Sequence, residues 1–64
     1  MQITKNRLDG VAGLLKTQLK ILLDSYDLDY DNPTTSVMTH SDFSLFYSLR
    51  KSIQLLDEIK KELE

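Results

Sequence analysis

The chain of 64 residues contains no cysteine and a single histidine, His40. Without cysteine there is neither a disulfide framework nor a thiolate metal site, and one histidine does not complete a zinc site. A chain of this length has a marginal hydrophobic core and commonly relies on disulfides, metals or self-association. Because cysteine-based devices are excluded, we expect helix packing and self-association to stabilise the fold.

The sequence also lacks a basic excess and a long apolar segment. A total of 8 Lys and Arg against 10 Asp and Glu gives a formal net charge of −2, whereas proteins that grip nucleic acid usually carry a basic excess. No uninterrupted apolar run exceeds three residues, as in Ile21-Leu22-Leu23, which is too short to cross a bilayer, and the N-terminus lacks the apolar region of a signal peptide. These absences predict a soluble, cytoplasmic protein with no membrane partner, and they disfavour nucleic acid.

The strongest pattern that is present is a pair of heptad stripes. Apolar residues recur at alternating steps of four and three in each half of the chain, which keeps one seam facing a partner helix. In the second stripe Lys60 fills one apolar slot, and we expect its ammonium group to extend to water. The predicted seam consists of Leu8, Leu15, Leu19, Leu22, Phe46, Leu49, Ile53 and Leu56.

The two stripes predict an all-α fold built as one two-helix hairpin. We expect a helix over about residues 4–26, a long acidic loop over about 27–41 and a helix over about 42–63. Pro33 and its polar neighbours favour turns, and a loop of roughly 15 residues exceeds the usual helix–helix connection. Such a loop permits parallel helices, but antiparallel packing is favoured because neighbouring elements usually pack directly.

The helix ends carry weaker signals. Thr4 is the expected N-cap of the first helix, and Ser41 or Asp42 that of the second, because their side chains accept hydrogen bonds from first-turn N–H groups. Gly10 and Gly13 each cost about 1 kcal/mol relative to alanine inside a helix. An alternative is therefore that residues 1–8 form a flexible or extended arm.

A second apolar stripe lies on another face of the first helix. Ile3, Leu14 and Ile21 are turned away from the main seam by about 120°. One hairpin does not bury two stripes, so we expect these residues to contact a second chain and two hairpins to pair as a homodimeric four-helix bundle. The alternative is that they are ordinary isolated apolar residues on a surface.

The acidic loop resembles part of a calcium-binding loop. Asp27, Asp29 and Asp31 match the first three ligand positions of an EF-hand, but Asn32 and Met38 stand where that loop needs glycine and a bidentate glutamate. We therefore expect no calcium or other metal site. The loop is predicted instead to be mobile and to contact a partner, with Leu28, Tyr30, Val37 and Met38 as apolar anchors. Its predicted interaction residues are Asp27, Asp29, Tyr30 and Asp31.

No group of residues indicates catalysis or a cofactor. His40 has no nucleophile elbow or glycine-rich oxyanion turn beside it, and a 64-residue helical chain rarely encloses a ligand cleft of about 300 Å³ or more. We expect a non-enzymatic interaction module, such as an adaptor, inhibitor or structural subunit, that acts as a homo-oligomer with an unidentified protein partner. The alternative is a nucleic-acid-associated regulator that uses a basic face, without an aromatic residue for stacking. That face would contain Lys5, Arg7, Lys16, Lys20, Arg50 and Lys51.

Overall fold

The computed structural model describes residues 2–63, with only the backbone of Gln2. Helix α1 is Gln2–Ser25, helix α2 is His40–Leu63, and one short 3-10 turn, Thr35–Val37, lies between them. The two helices pack against each other. The all-α, two-helix fold predicted from the heptad stripes is therefore confirmed for the described residues, and Met1 and Glu64 lie outside them.

The two helices are antiparallel, so the parallel arrangement is wrong. At one end the hydroxyl group of Tyr26, which follows α1, hydrogen-bonds the carboxylate of Asp42 in the first turn of α2. At the other end Lys60 Nζ lies 2.6 Å from Asp9 Oδ1. The start of α1 is thus level with the end of α2, and the end of α1 with the start of α2.

The core is a small cluster between the helices. Leu19 and Leu23 of α1 pack with Leu49 and Ile53 of α2, and burying each such side chain contributes about 1.5–3 kcal/mol. Ala12 and Leu22 are buried as well. The other predicted seam residues are only half-buried, because a single partner helix covers only one side of each stripe. These are Leu8, Leu15, Phe46 and Leu56.

Helix α1 continues through both of its glycines. It begins at Gln2, so Thr4 lies inside the helix instead of capping it, and the described part of residues 1–8 is not an arm. A Cβ atom added at Gly10 or Gly13 would meet nothing within 4 Å, so no close contact within the chain requires glycine there. The burial of the leucines further along α1 outweighs the helix propensity that the two glycines forfeit.

The C-terminus of α1 is closed by a Schellman motif. The N–H group of Leu28 donates to the carbonyl of Leu23, and that of Asp27 to the carbonyl of Asp24, both at 3.0 Å. Asp27 adopts the left-handed conformation that the motif needs, with φ 57°. Leu28 then packs against the core cluster, which fixes the direction in which the chain leaves the helix.

The N-terminus of α2 is capped by Thr39, two or three residues before the predicted caps Ser41 and Asp42. Thr39 Oγ1 accepts a hydrogen bond from the N–H group of Asp42 at 3.2 Å. The N–H group of Thr39 donates to the hydroxyl oxygen of Tyr26 at 3.2 Å, and that hydroxyl donates to the Asp42 carboxylate. The tyrosine therefore stands between the two partners of a capping box and ties α1 to α2.

Candidate interaction surface

The two broad sides of the hairpin are chemically different. One side is marked by Lys60, whose ammonium group contacts Asp9 of α1 at 2.6 Å and Asp57 of α2 at 3.4 Å. Because an α-helix turns about 100° per residue, the buried core positions give the direction of the partner helix, and every other residue can be assigned to a side. We call the side with these ion pairs the polar side.

Lys60 holds the polar side together, contrary to the expectation that it extends to water. Its side chain is only 20% exposed. The hydrogen bond from Lys60 lowers the pKa of Asp9 below its ordinary value of 3.8, and partial desolvation opposes this shift. The same bond raises the pKa of Lys60 above 10.5. A lysine in a heptad slot thus becomes an interhelical ion pair because α1 places a carboxylate at the same level.

The opposite side of the hairpin is apolar. Val11, Leu45 and Ile59 remain 47%, 49% and 43% exposed, and helical geometry turns all of them away from the Lys60 ion pairs. The half-buried Leu15 and Leu56 lie between them and the core. We call this surface the apolar side and define it by Val11, Leu15, Leu45, Leu56, Ile59 and Leu63.

The apolar side exists because the stripe on α2 is wider than one partner helix covers. Leu49 and Ile53 point at α1 and are buried, whereas Leu45, Leu56 and Ile59 flank them in a second row. A wide stripe of this kind is typical of a helix that faces more than one neighbour. The width of the α2 stripe can be read from the sequence. The side of the hairpin on which its uncovered part lies depends on how α1 packs against α2.

The second stripe predicted on α1 is exposed. Ile3, Leu14 and Ile21 are 70%, 71% and 57% exposed, and they lie on the part of α1 that faces away from α2. Leu14 lies about 20° from Arg7 and about 60° from Val11 around α1, so this stripe borders the apolar side, and Gly10 lies in line with it. Their contact with a second chain stays a prediction.

The acidic loop residues have different positions. Asp27 shapes the end of α1, and Asp29 Oδ1 accepts a hydrogen bond from the N–H group of Asp31 at 3.2 Å. Tyr30 and Asp31 line a groove of about 680 Å³ on the polar side. That groove reaches the size of ligand pockets, but it is lined mainly by charged side chains where such pockets are mostly apolar. Of the four predicted interaction residues, Tyr30 and Asp31 line this groove, and the contact of all four with a partner stays a prediction.

The loop is held to the helices at two of its predicted apolar anchors. Leu28 and Met38 pack against the core cluster, while Val37 remains 58% exposed and Tyr30 36%. The 3-10 turn Thr35–Val37 brings the chain to Thr39, which caps α2. Two of the four predicted anchors therefore hold the loop to the helices.

An aromatic residue lies among the basic side chains, contrary to the sequence-based expectation. Tyr30 forms one wall of a depression with Lys16 and Lys20, and it also borders the groove that contains Arg50 and Lys51. The sequence pattern does not show this proximity, because Tyr30 belongs to the loop and reaches the basic side chains only when the loop folds back over the polar side. Lys5 belongs to that side as well, whereas Arg7 lies near the apolar side. Acidic residues line the same groove, namely Asp31, Asp57 and Glu58.

Between residues 2 and 63, no group of three or more His, Cys, Asp or Glu residues is placed to hold a metal ion. Neither helix, within this range, has the length and apolarity needed to cross a membrane. Comparison with protein-family models, with curated proteins and with solved structures finds no match. The apolar side and the polar side of the hairpin are therefore its main candidate binding surfaces.

Proposed function

We propose that this protein is a small, non-enzymatic helical interaction module that acts as a homo-oligomer and binds through its apolar side. The observation that carries the proposal is the row of half-exposed aliphatic side chains on one side of the hairpin. Val11 of α1 and Leu45 and Ile59 of α2 each remain more than 40% exposed. Leu45 and Ile59 lie about 21 Å apart along α2, and the half-buried Leu15 and Leu56 lie between their levels on the same side.

The energetics favour covering this surface. Full burial of an aliphatic side chain contributes about 1.5–3 kcal/mol, so each side chain that is nearly half-exposed leaves roughly 1 kcal/mol unrealised. Contiguous apolar patches on small proteins commonly mark binding sites. The core of the isolated hairpin is also small, with only six buried apolar residues among those described, and short chains often gain stability by association.

A pair of matched substitutions tests the proposal. Leu45→Glu places a charge on the apolar side, and Tyr47→Glu places one beside the groove on the polar side. Both residues are exposed, at 49% and 61%, so neither change buries the new charge within the hairpin. Sedimentation equilibrium would give the assembly state, and circular dichroism would show whether each variant remains helical.

We expect the wild-type chain to self-associate, Leu45→Glu to dissociate into helical monomers, and Tyr47→Glu to assemble as the wild type does. Dissociation by Tyr47→Glu but not by Leu45→Glu would contradict the proposal. A chain that stays monomeric at all concentrations would contradict homo-oligomerisation.

A nucleic-acid-associated regulator is the second candidate, and the position of Tyr30 favours it. Cationic side chains bind phosphates, and an aromatic ring among them can stack on an unpaired base. Lys16 and Lys20 lie on one side of Tyr30, and Arg50 and Lys51 line the groove on its other side. The acidic residues in that groove and the net charge of −2 oppose such binding, which is why this function ranks second.

The second candidate is tested with a single-stranded oligonucleotide at several salt concentrations. Binding through phosphates predicts an affinity that falls steeply as salt rises. Replacing both Lys16 and Lys20 by glutamine should then weaken binding and flatten the salt dependence, whereas Arg7→Gln, near the apolar side, should not. Absence of binding at low salt would eliminate this function.

A further inference from the structure

We infer that the apolar side is covered by a second copy of the chain, related by a two-fold axis parallel to the helices. In this arrangement α1 of each copy packs on α2 of the other. The inference rests on the proposed function and adds the identity and geometry of the partner. It is carried by the dimensions of the hairpin, by the levels of its residues and by the charges at its edges.

The dimensions match those of a protein dimer. The Cα extents of the hairpin are 41 × 19 × 15 Å, so the outline of its broad side covers roughly 800 Å², about what each partner contributes to a standard interface. A single additional helix from another protein would cover only part of that width, because packed helices lie about 8–10 Å apart. A second hairpin has the required width.

The levels of the residues then determine which side chains meet. Asp9 of α1 contacts Lys60 of α2, and Tyr26 contacts Asp42. Two residues at the same height along the hairpin, which we call the same level, therefore have numbers that add to about 68 or 69. Rotation about an axis parallel to the helices keeps every level unchanged. It therefore places Val11 of one copy close to Ile59 of the partner subunit, so that apolar residues face apolar residues.

The charges at the edge of the interface favour the same arrangement. Arg7 lies at the apolar edge of α1, and Glu62 lies at the outer edge of α2 at the same level. Stacking α1 on α2 of the second copy brings Arg7 towards Glu62 of the partner subunit, and symmetry repeats the pair. A two-fold axis across the helices would stack α1 on α1, and the corresponding edge of α1 carries Gln18 and Ser25 but no acid.

Cysteine cross-linking tests the geometry, since the native chain contains no cysteine. Val11→Cys and Ile59→Cys would be made separately, mixed under reducing conditions, refolded together and then oxidised. A disulfide needs Cα atoms within about 7 Å. We expect a disulfide that joins the two different chains, identified by mass, and little linkage in either variant alone. Leu14→Cys mixed with Ile59→Cys is the matched control and should not cross-link.

Charge exchange provides an independent test. Arg7→Glu and Glu62→Arg should each raise the dissociation constant of the dimer by roughly tenfold, and the chain with both substitutions should regain wild-type affinity. Additive loss in the double variant would overturn the inference, as would efficient cross-linking of Val11→Cys with itself. A dimer that Leu45→Glu dissociates but that fails both tests refutes this geometry and leaves the proposed function standing. A monomeric wild-type chain refutes both.

Discussion

The hydroxyl group of Tyr26 offers a sharp test of how the loop end of the hairpin is held. Tyr26→Phe removes one oxygen atom and retains the ring. That oxygen accepts a hydrogen bond from the N–H group of Thr39 at 3.2 Å and donates one to the carboxylate of Asp42. The substitution thus affects the only described side chain that bridges the end of α1 and the cap of α2.

The expected magnitude follows from the two bonds. A hydrogen bond between neutral groups contributes about 0.5–1.5 kcal/mol net, and one to a charged group about 1.5–3 kcal/mol. The ring of Tyr26 is half-buried, so water replaces part of what is lost in the variant. We expect Tyr26→Phe to lower the free energy of unfolding by about 1–2 kcal/mol.

Urea denaturation, followed by circular dichroism at a fixed chain concentration, measures this change. The concentration must be fixed because association contributes to apparent stability. Tyr47→Phe is the matched control: Tyr47 is 61% exposed, and we expect a change within about 0.5 kcal/mol. In a double-mutant cycle with Asp42→Ala, the two losses should be non-additive because the Asp42 carboxylate accepts the hydrogen bond that the Tyr26 hydroxyl donates. Equal effects of Tyr26→Phe and Tyr47→Phe would refute the bridging role.

Three further predictions concern the helix end, the ion pair and the loop. Asp27→Gly should raise the free energy of unfolding by about 0.5–1 kcal/mol in the same urea assay, because glycine adopts the φ of 57° without strain. Asp9→Asn should remove a contribution that is present above pH 3.8 and lost as pH falls through the lowered pKa of Asp9. That contribution is also lost as pH rises through the raised pKa of Lys60 above 10.5, so urea midpoints of wild type and variant should converge at both extremes. Hydrogen exchange should be fast across residues 29–35 and slow at Leu19, and uniform protection would contradict a mobile loop.

Much of the fold was determined by the sequence itself. Helix formation depends on local periodicity. The heptad stripes around Leu19 and Leu49 predict both helices and a core between them. The helix ends were predicted less accurately than the helices themselves. The left-handed conformation of Asp27 and the capping of α2 by Thr39 depend on hydrogen bonds that form only when the loop turns back. Aspartate and threonine each occur at several kinds of position near helix ends, so the sequence alone does not locate these ends.

The tertiary structure decided what each side of the hairpin carries. Lys60 is a polar interruption in the sequence, and it becomes an ion pair because antiparallel packing brings Asp9 to its level. Tyr30 is a loop residue in the sequence, and it lies among basic side chains because the loop folds over the polar side. Periodicity describes each helix about its own axis, whereas the rotation of one helix against the other depends on contacts between residues far apart in the chain. That rotation placed Val11 and Ile59 on one common apolar side.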